Sequence, residues 1–546
     1  MRLVQKLWIG MAMLCLSFTA SAYDFEVDGL CYDVVDLVEL TCGVSGTTKS
    51  IDFSKEVVIP SKVSFLGRNL TVVSIMDNAF EKTDIVSISL PNTCTSIGIE
   101  AFHYCKKLQS INIPEGVTSI GNAAFSFCSS LTQVNIPEGV TSIGHSAFRY
   151  CTLLTQVNIP DGVTSIGIAA FEYCSSLTQV NIPEGVKSIE NDAFAYCTSL
   201  TQVNIPEGVT TIGDDAFENC SSLTQVNIPD GVTSIGSSAF ENCSSLSHIT
   251  IPEGVTTIGY DAFKQSTITS LYISDSNQKL EFGSKAFDNS KIKDLYIGRE
   301  LELNSYDNLA IFYNADIDSL TIGNRVTKIG VEFFEGKRVG STYICSVKSV
   351  QKLNILPSEK TLNIYSTIYS TTSLNPNVLI LGRNLDGSYI FSNETNLKHL
   401  EVCGNVANIS NLSLGSNDIS TMLVKTATPP ICANETFSKN TYLYCSLKVP
   451  VGTLNAYKSA EGWKNFWNIE ECDFSGVEAI EEDNAVSCAA DNGSIRIENK
   501  DENSIVRVYN IQGSMLAETS ESVVNNLPKG LYIVTVENKS FKVSLR

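Results

Sequence analysis

One block, LTQVNIPEGVTSIGHSAFRYC over Leu131–Cys151, recurs along the chain at a fixed step of 23 residues. Prolines keep that step at Pro91, Pro114, Pro137, Pro160, Pro183, Pro206, Pro229 and Pro252. Cysteines keep it at Cys105, Cys128, Cys151, Cys174, Cys197, Cys220 and Cys243, and phenylalanines from Phe102 to Phe263. Three residue types in one register do not arise by chance. A unit this short cannot bury its own apolar face, so the repeats must stack into a one-dimensional array with a continuous core.

Each part of the unit has a physical reading. Val134 and Ile136 alternate with polar residues, as in a strand with one buried face. Pro137-Glu138-Gly139 marks a bend, with proline expected at its first corner. Val140–Ile143 reads as a second short extended piece. Gly144 supplies a permissive backbone position before an expected helical turn carrying Ala147, Phe148 and Cys151. Glu190 fills the glycine position in one repeat, which implies that glycine is not strictly demanded there.

The pattern L-x-x-V-x-I-P-x-G-V-x-x-I-G-x-x-A-F-x-x-C, from about Ile85 to Phe263, resembles the BspA-like leucine-rich repeats of surface proteins in Bacteroidetes and some mucosal protists. The resemblance implies a curved right-handed leucine-rich-repeat solenoid, a cell-surface or secreted location, and adhesion to host proteins or other cells. The tail motif Leu527-Pro-Lys-Gly530-Leu-Tyr532-Ile-Val-Thr-Val536 resembles the type A carboxy-terminal sorting domain of type IX (Por) secretion, which implies contact with that export machinery. The expected layout has six parts: a signal peptide over 1–22; an N-terminal β cap and stretched first repeat over 23–83; regular repeats over 84–264; degenerate repeats and a closing unit over 265–471; a linker over 472–484; and a C-terminal immunoglobulin-like β-sandwich over 485–546. Tyr457, Trp463 and Phe466 are expected to plug the closing unit.

The signal peptide rests on Arg2 and Lys6, an apolar stretch over Leu7–Phe18, and the cleavage pattern Ala20-Ser21-Ala22. No later segment is long and apolar enough to cross a bilayer as a helix. A net charge of −21 repels phosphate backbones, so nucleic acid is a poor partner.

Catalytic signals are missing. There are 4 histidines, none in a metalloprotease spacing, and no nucleophile elbow, phosphate loop or dinucleotide fingerprint. His145 aligns with Asn122, Ile168, Asn191, Asp214 and Ser237, a variety that suits a solvated loop. The sequence reads as non-enzymatic, with no cofactor and no metal site. The repeated cysteines read as small buried hydrophobes, while Cys31 with Cys42 and Cys432 with Cys445 are candidate disulfides.

Two features are candidate binding surfaces. Gln133, Asn135, Gln156, Asn158, Gln179 and Asn181 should line the solvent side of stacked strands. Tyr104, Phe127, Tyr150, Tyr173 and Tyr196 follow each core phenylalanine by two residues and should form either an aromatic binding ridge or a ring-on-ring stack that staples the coils together. Asn219 and Asn242 replace the aromatic later, which suggests an outward-pointing position. Stacked acidic turns, Glu115 to Glu253, read as solvated rather than as calcium ligands. The reading is a surface adhesin for a host or microbial surface protein or glycan. The alternatives are a self-associating structural protein and a glycan-binding accessory protein.

Overall fold

The computed structural model describes residues 23–304, 310–329, 335–339, 342–345, 349–364, 376–386, 396–410, 412, 414–474, 487–491, 494–498, 506–510, 515–519, 521, 523–525, 527, 530–536 and 539–545. The expected signal peptide and most of the expected linker lie outside the described residues. The chain divides into two compact units, Met1–Glu471 and Cys472–Arg546.

In the first unit, N-terminal hairpins pair Phe25–Val27 with Leu30–Asp36, Leu30–Asp36 with Thr41–Thr47, and Lys62–Phe65 with Arg68–Ile75, and short parallel strands stack coil on coil. Val57–Val58 pairs with Ser87–Ser89, and the step continues through Ser110–Asn112, Gln133–Asn135, Gln156–Asn158, Gln179–Asn181, Gln202–Asn204 and Gln225–Asn227. The same sheet runs on past His248–Ile251 to Thr421–Val424 and Ser446–Pro450. The result is a β-solenoid of about 15 turns. Register places like on like: Gln133 opposite Gln156, Val134 opposite Val157, Asn135 opposite Asn158. The core phenylalanines therefore stack, with ring centroids 5.2 Å apart for Phe125–Phe148 and 5.6 Å for Phe194–Phe217.

The bend after each strand differs from expectation in one detail. Val140 N–H donates to the Pro137 carbonyl at 3.0 Å. Proline is thus the residue before the corner, and Glu138–Gly139 form the corner itself.

The expected helical turn does not form. Ala147, Arg149 and Cys151 N–H groups donate three residues back, to Gly144, Ser146 and Phe148. The alternate N–H groups donate forward to the next coil: Ser146 to Ile168, Phe148 to Ala170 and Tyr150 to Glu172, each at 2.8 Å. A helix needs its N–H groups for bonds four residues back. Here half of them join coils, and Ser146 and Tyr150 are left-handed, with φ of 54° and 58°. This side of the solenoid is a column of stacked turns. Helices occur instead near its end, at Lys439–Tyr444 and Leu454–Ser459.

The glycine column has a steric origin, which shows what the one exception at Glu190 costs. A Cβ on Gly144 would lie 2.6 Å from the Gly121 carbonyl carbon, and one on Gly167 would lie 2.6 Å from the His145 nitrogen. Adjacent coils approach too closely for any side chain. Glu190 occupies this column, and the second sheet divides there: one part ends at Ser165–Ile166 and the next begins at Ser188–Ile189.

A second linkage lapses at the same seam. His145 N–H donates to Asn122 Oδ1, Ile168 N–H to His145 Nδ1, Asp214 N–H to Asn191 Oδ1 and Ser237 N–H to Asp214 Oδ1. Ile168 offers no acceptor to Asn191. The variable position is exposed except at the half-buried Ser237, but it also carries a coil-to-coil relay. The main sheet and the turn column bridge the seam through Gln156–Gln179 and the Ala169 N–H bond to Asn191.

In the later coils, buried arginines replace an acidic corner. Arg299 lies two residues after Ile297, as Glu253 lies two after Ile251. Its guanidinium turns inward and donates to the Glu253 and Pro252 carbonyls at 2.9 and 2.8 Å. Arg383 does the same to Asn324 and Gly323. Burial pushes the Arg383 pKa down to about 10. At the end of the unit Tyr457, Trp463 and Phe466 are buried, and Trp463 Nε1 donates to the Pro430 carbonyl at 2.7 Å.

The second unit holds two antiparallel sheets. One joins Ser487–Asp491, Ser494–Glu498 and Val523–Val524; the other joins Val506–Asn510, Met515–Thr519, Gly530–Val536 and Lys539–Leu545. Ile495, Ile497, Val506, Val508, Val524, Tyr532 and Val534 form its core.

The seam yields a prediction. Glu190→Gly removes the obstructing Cβ and lets the two parts of the second sheet pair. Each recovered backbone hydrogen bond adds about 1 kcal/mol, against up to about 1 kcal/mol lost to glycine's added entropy. By analogy with the Thr164 and Gly167 amides, which donate to Thr141 and Ile143, the expected outcome is slower amide exchange at Lys187 and at position 190, with unchanged or higher stability. Unaltered exchange at those amides would show that Glu190 does not set the gap.

Candidate functional site

Two solvent-facing arrays arise from the stacking. On the main sheet, Gln133, Asn135, Gln156, Asn158, Gln179 and Asn181 are exposed on either side of the buried Val134, Val157 and Val180. In-register parallel pairing lines their amides into rows with strand spacing, ~4.8 Å. Each row repeats one chemistry along the solenoid.

The aromatic array lies in the turn column, a different element from the sheet. Its centroid distances are 4.3 Å for Tyr104–Phe127, 4.4 Å for Phe127–Tyr150, 4.3 Å for Tyr150–Tyr173 and 4.2 Å for Tyr173–Tyr196. The planes of Tyr150 and Tyr173 are 8° apart. Such rings cover one another's faces and offer solvent mainly their rims; all five are half-buried. Arg149 sits over Tyr150, 5.2 Å from its centroid.

The backbone gives another reason for the change to asparagine. Tyr104, Phe127, Tyr150, Tyr173 and Tyr196 have φ between 59° and 61° or within a degree of it, and Asn219 and Asn242 have φ of 57° and 59°. Among residues with a side chain, asparagine adopts this left-handed region most readily. The replacement follows backbone conformation, so it is no measure of exposure.

Below the last ring the column turns acidic. Tyr196 Oη donates to Glu218 Oε1 at 3.3 Å. Burial, then the neighbouring Asp192 and Asp214 carboxylates, push Asp215 up to about 6. The raised value means this group favours the fold below the ordinary carboxylate range and loses that contribution as pH rises through about 6. The acidic corners Glu115, Glu138, Asp161, Glu184, Glu207, Asp230 and Glu253 are exposed. Among the described residues, the one group of three potential metal ligands is Glu81, Glu100 and His103. There His103 Nδ1 lies 3.6 Å from Glu81 and 3.7 Å from Glu100, and Lys82 pairs with Glu81 at 2.6 Å.

The repeated thiols do more than fill space. Cys151 Sγ donates to the Phe125 carbonyl and Cys174 Sγ to the Phe148 carbonyl, each at 3.2 Å, and the pattern holds from Cys105 to Cys243. Ser266 and Ser290 take over the bond in later coils, to Phe240 and Phe263. The sequence carried this signal in the change from cysteine to serine, a polar residue at a core position. The proposed disulfides are absent: Cys31, Cys42, Cys432 and Cys445 are free thiols. Cys42 stands opposite Val34 and Cys31 opposite Gly46, so the hairpin register keeps the first two apart.

The sequence profile of the BspA-type leucine-rich repeat region matches, in 6 copies, residues 73–201, 164–293, 278–354 and 309–448. The chain belongs to the BspA-type leucine-rich repeat family. No curated protein matches it. Among solved structures it is similar to a leucine-rich repeat protein from Bacteroides ovatus, with 22% identity over 83% of this chain and 100% of that one and a TM-score of 0.49. A leucine-rich cell surface protein from Faecalibacterium prausnitzii shares 21% identity over 84% and 97%, with a TM-score of 0.33. The leucine-rich repeat protein of T. pallidum shares 26% over 41% and 90%, with a TM-score of 0.33.

The BspA-type match points to no catalytic family. No helix among the described residues is long and apolar enough to cross a membrane. The sequence reading missed Trp467, which is 80% exposed. Its signal was the run Trp463-Lys-Asn-Phe466-Trp467, where neighbouring aromatics cannot all turn to one core.

The thiols set an alkaline limit. Burial raises the Cys220 pKa from the ordinary 9.0 to about 12 and pushes Cys151, Cys174 and Cys197 up as well. Above pH 9 the unfolded chain releases thiol protons that the folded chain retains. Stability is therefore expected to fall as pH rises from about 9 toward 12. Denaturant midpoints across that range check the trend, and native thiol labelling should spare Cys105 to Cys243. Rapid labelling of those residues without denaturant would contradict the buried thiol–carbonyl ladder.

Proposed function

We propose that this chain is a secreted or cell-surface binding protein, an adhesin, that engages host or neighbouring-cell macromolecules through its solenoid surface. The observation that carries this reading is the exposed amide array, Gln133 to Asn181 in strict register. Polar rows repeated at strand spacing suit an extended protein or glycan partner, which meets the same donors and acceptors at every coil. The stacked rings at Tyr104, Phe127, Tyr150, Tyr173 and Tyr196 border the turn column and add rim contacts. Membership of a family with leucine-rich surface proteins supports the location. In this reading residues 1–22 direct export, the N-terminal hairpins cap the open core, and the tail is an immunoglobulin-like sorting domain that meets type IX secretion machinery.

The test is capture on immobilised host matrix proteins beside a glycan array and light scattering. Replacing Gln156, Asn158, Gln179 and Asn181 together by alanine is expected to weaken capture at least about tenfold without moving the melting temperature. Substituting Tyr150, Tyr173 and Tyr196 by asparagine should lower the melting temperature, since each lost ring contact is worth about 0.5–1.5 kcal/mol. Unchanged capture by the alanine variant removes the sheet from the reading. Concentration-dependent self-association without capture replaces it with a structural role.

The tail gives a separate prediction. A chain ending at Cys472 should keep the melting behaviour of the solenoid and lose its native location. A truncated chain that still reaches the surface would refute the sorting role.

A further inference from the structure

Phe466 and Trp467 are neighbours whose side chains part. Phe466 packs against Trp463 in the core, with ring centroids 5.9 Å apart, while Trp467 stands in solvent. The Trp467 N–H donates to the Tyr442 carbonyl at 3.0 Å, which ties the root of this side chain to the helix Lys439–Tyr444. Beside the indole lies an open depression of about 660 Å3, bordered by Asn434, Lys439, Tyr442, Lys464 and Asn465.

Hydrogen bonds among the lining residues brace the depression. Asn434 Oδ1 accepts from Asn465 Nδ2 at 3.1 Å and from the Gly462 N–H at 3.3 Å. Tyr442 Oη donates to the Asn434 carbonyl at 2.8 Å. Two elements distant in sequence are thus held in one wall, so the indole and both lysines have fixed attachment points.

Its charge runs against the rest of the protein. The net charge of the chain is −21. A depression of about 470 Å3 along the second sheet carries Glu190, Asp214 and Glu281, and one of about 390 Å3 near the N-terminal hairpins carries Asp28, Asp52 and Glu56 against the single Lys55. The depression beside Trp467 has Lys439 and Lys464 in its lining and no carboxylate there, with Glu461 outside it accepting from Asn434 Nδ2 at 3.2 Å. An exposed indole offers a flat apolar face for the C–H face of a sugar ring. Two ammonium groups pair with a carboxylate, and amides suit ring hydroxyls.

We propose that the depression bordered by Trp467, Lys439 and Lys464 binds an acidic saccharide, with the indole stacked on the sugar ring and the lysines facing its carboxylate. The site is distinct from the amide rows of the main sheet, and loss of either leaves the other intact.

The experiment uses the full chain with tetragalacturonate and 3′-sialyllactose as acidic probes. Maltotetraose is the neutral comparator, and tetraglutamate is an acid without a sugar ring. Titration calorimetry and indole fluorescence should show binding of at least one acidic saccharide, weakened by added salt. Trp467→Ala, and separately Lys439→Gln with Lys464→Gln, should each weaken it at least about tenfold. Lys439→Arg with Lys464→Arg should retain it. If Trp467→Ala lowers the melting temperature, Trp467→His serves in its place, read by the same calorimetry. Failure of both acidic saccharides to bind overturns the proposal, as does equal binding of maltotetraose or tetraglutamate. Binding that survives both the indole and the lysine substitutions overturns the assignment to this depression.

Discussion

Every coil of this solenoid must approach the next to strand-pairing distance, and the rest of the structure depends on that spacing. The turn column obeys it by spending alternate N–H groups on the following coil, which leaves too few for a helix. The glycine column obeys it by omitting a side chain where the backbones come closest. Where Glu190 intrudes, one side of the solenoid loses its pairing while the main sheet and the turn column continue. Three partly independent ladders let one fail without unzipping the array.

The same spacing sorts the chemistry of the side chains. A buried position repeated at every coil places like groups against like. Uncharged residues tolerate this: phenylalanine stacks on phenylalanine, and each thiol reaches a backbone carbonyl. Buried ionised groups at that separation would repel strongly. Among the described residues the two buried arginines accordingly occur singly, at Arg299 and Arg383, with carbonyls as partners. Outside, repetition becomes a resource, because exposed amides in register present one motif many times over.

The ends of the array break the repetition and carry different chemistry. In the closing unit Tyr457, Trp463 and Phe466 cover the core, and the same short segment projects Trp467 outward beside two lysines. A solenoid has few places where a concave, non-repeating site can form, and its terminus is one of them.

The sequence by itself determined the period, the buried residues and the stacking of coils into one array. Val134, Ile136, Phe148 and Cys151 were legible as core because a period of 23 puts every copy in the same environment. It also marked the exposed Gln and Asn positions, since alternation about a buried valine has one solution in a strand. Tertiary structure alone decided how each N–H is used, and so turned an expected helical turn into stacked turns. It decided that the glycine column answers to a neighbouring coil and that Cys31 and Cys42 stand out of register, and between an open aromatic ridge and a ring-on-ring stack it chose the stack. Each of these depends on what the next coil or strand places opposite a residue. A linear pattern carries the identity of that neighbour but not its distance or direction.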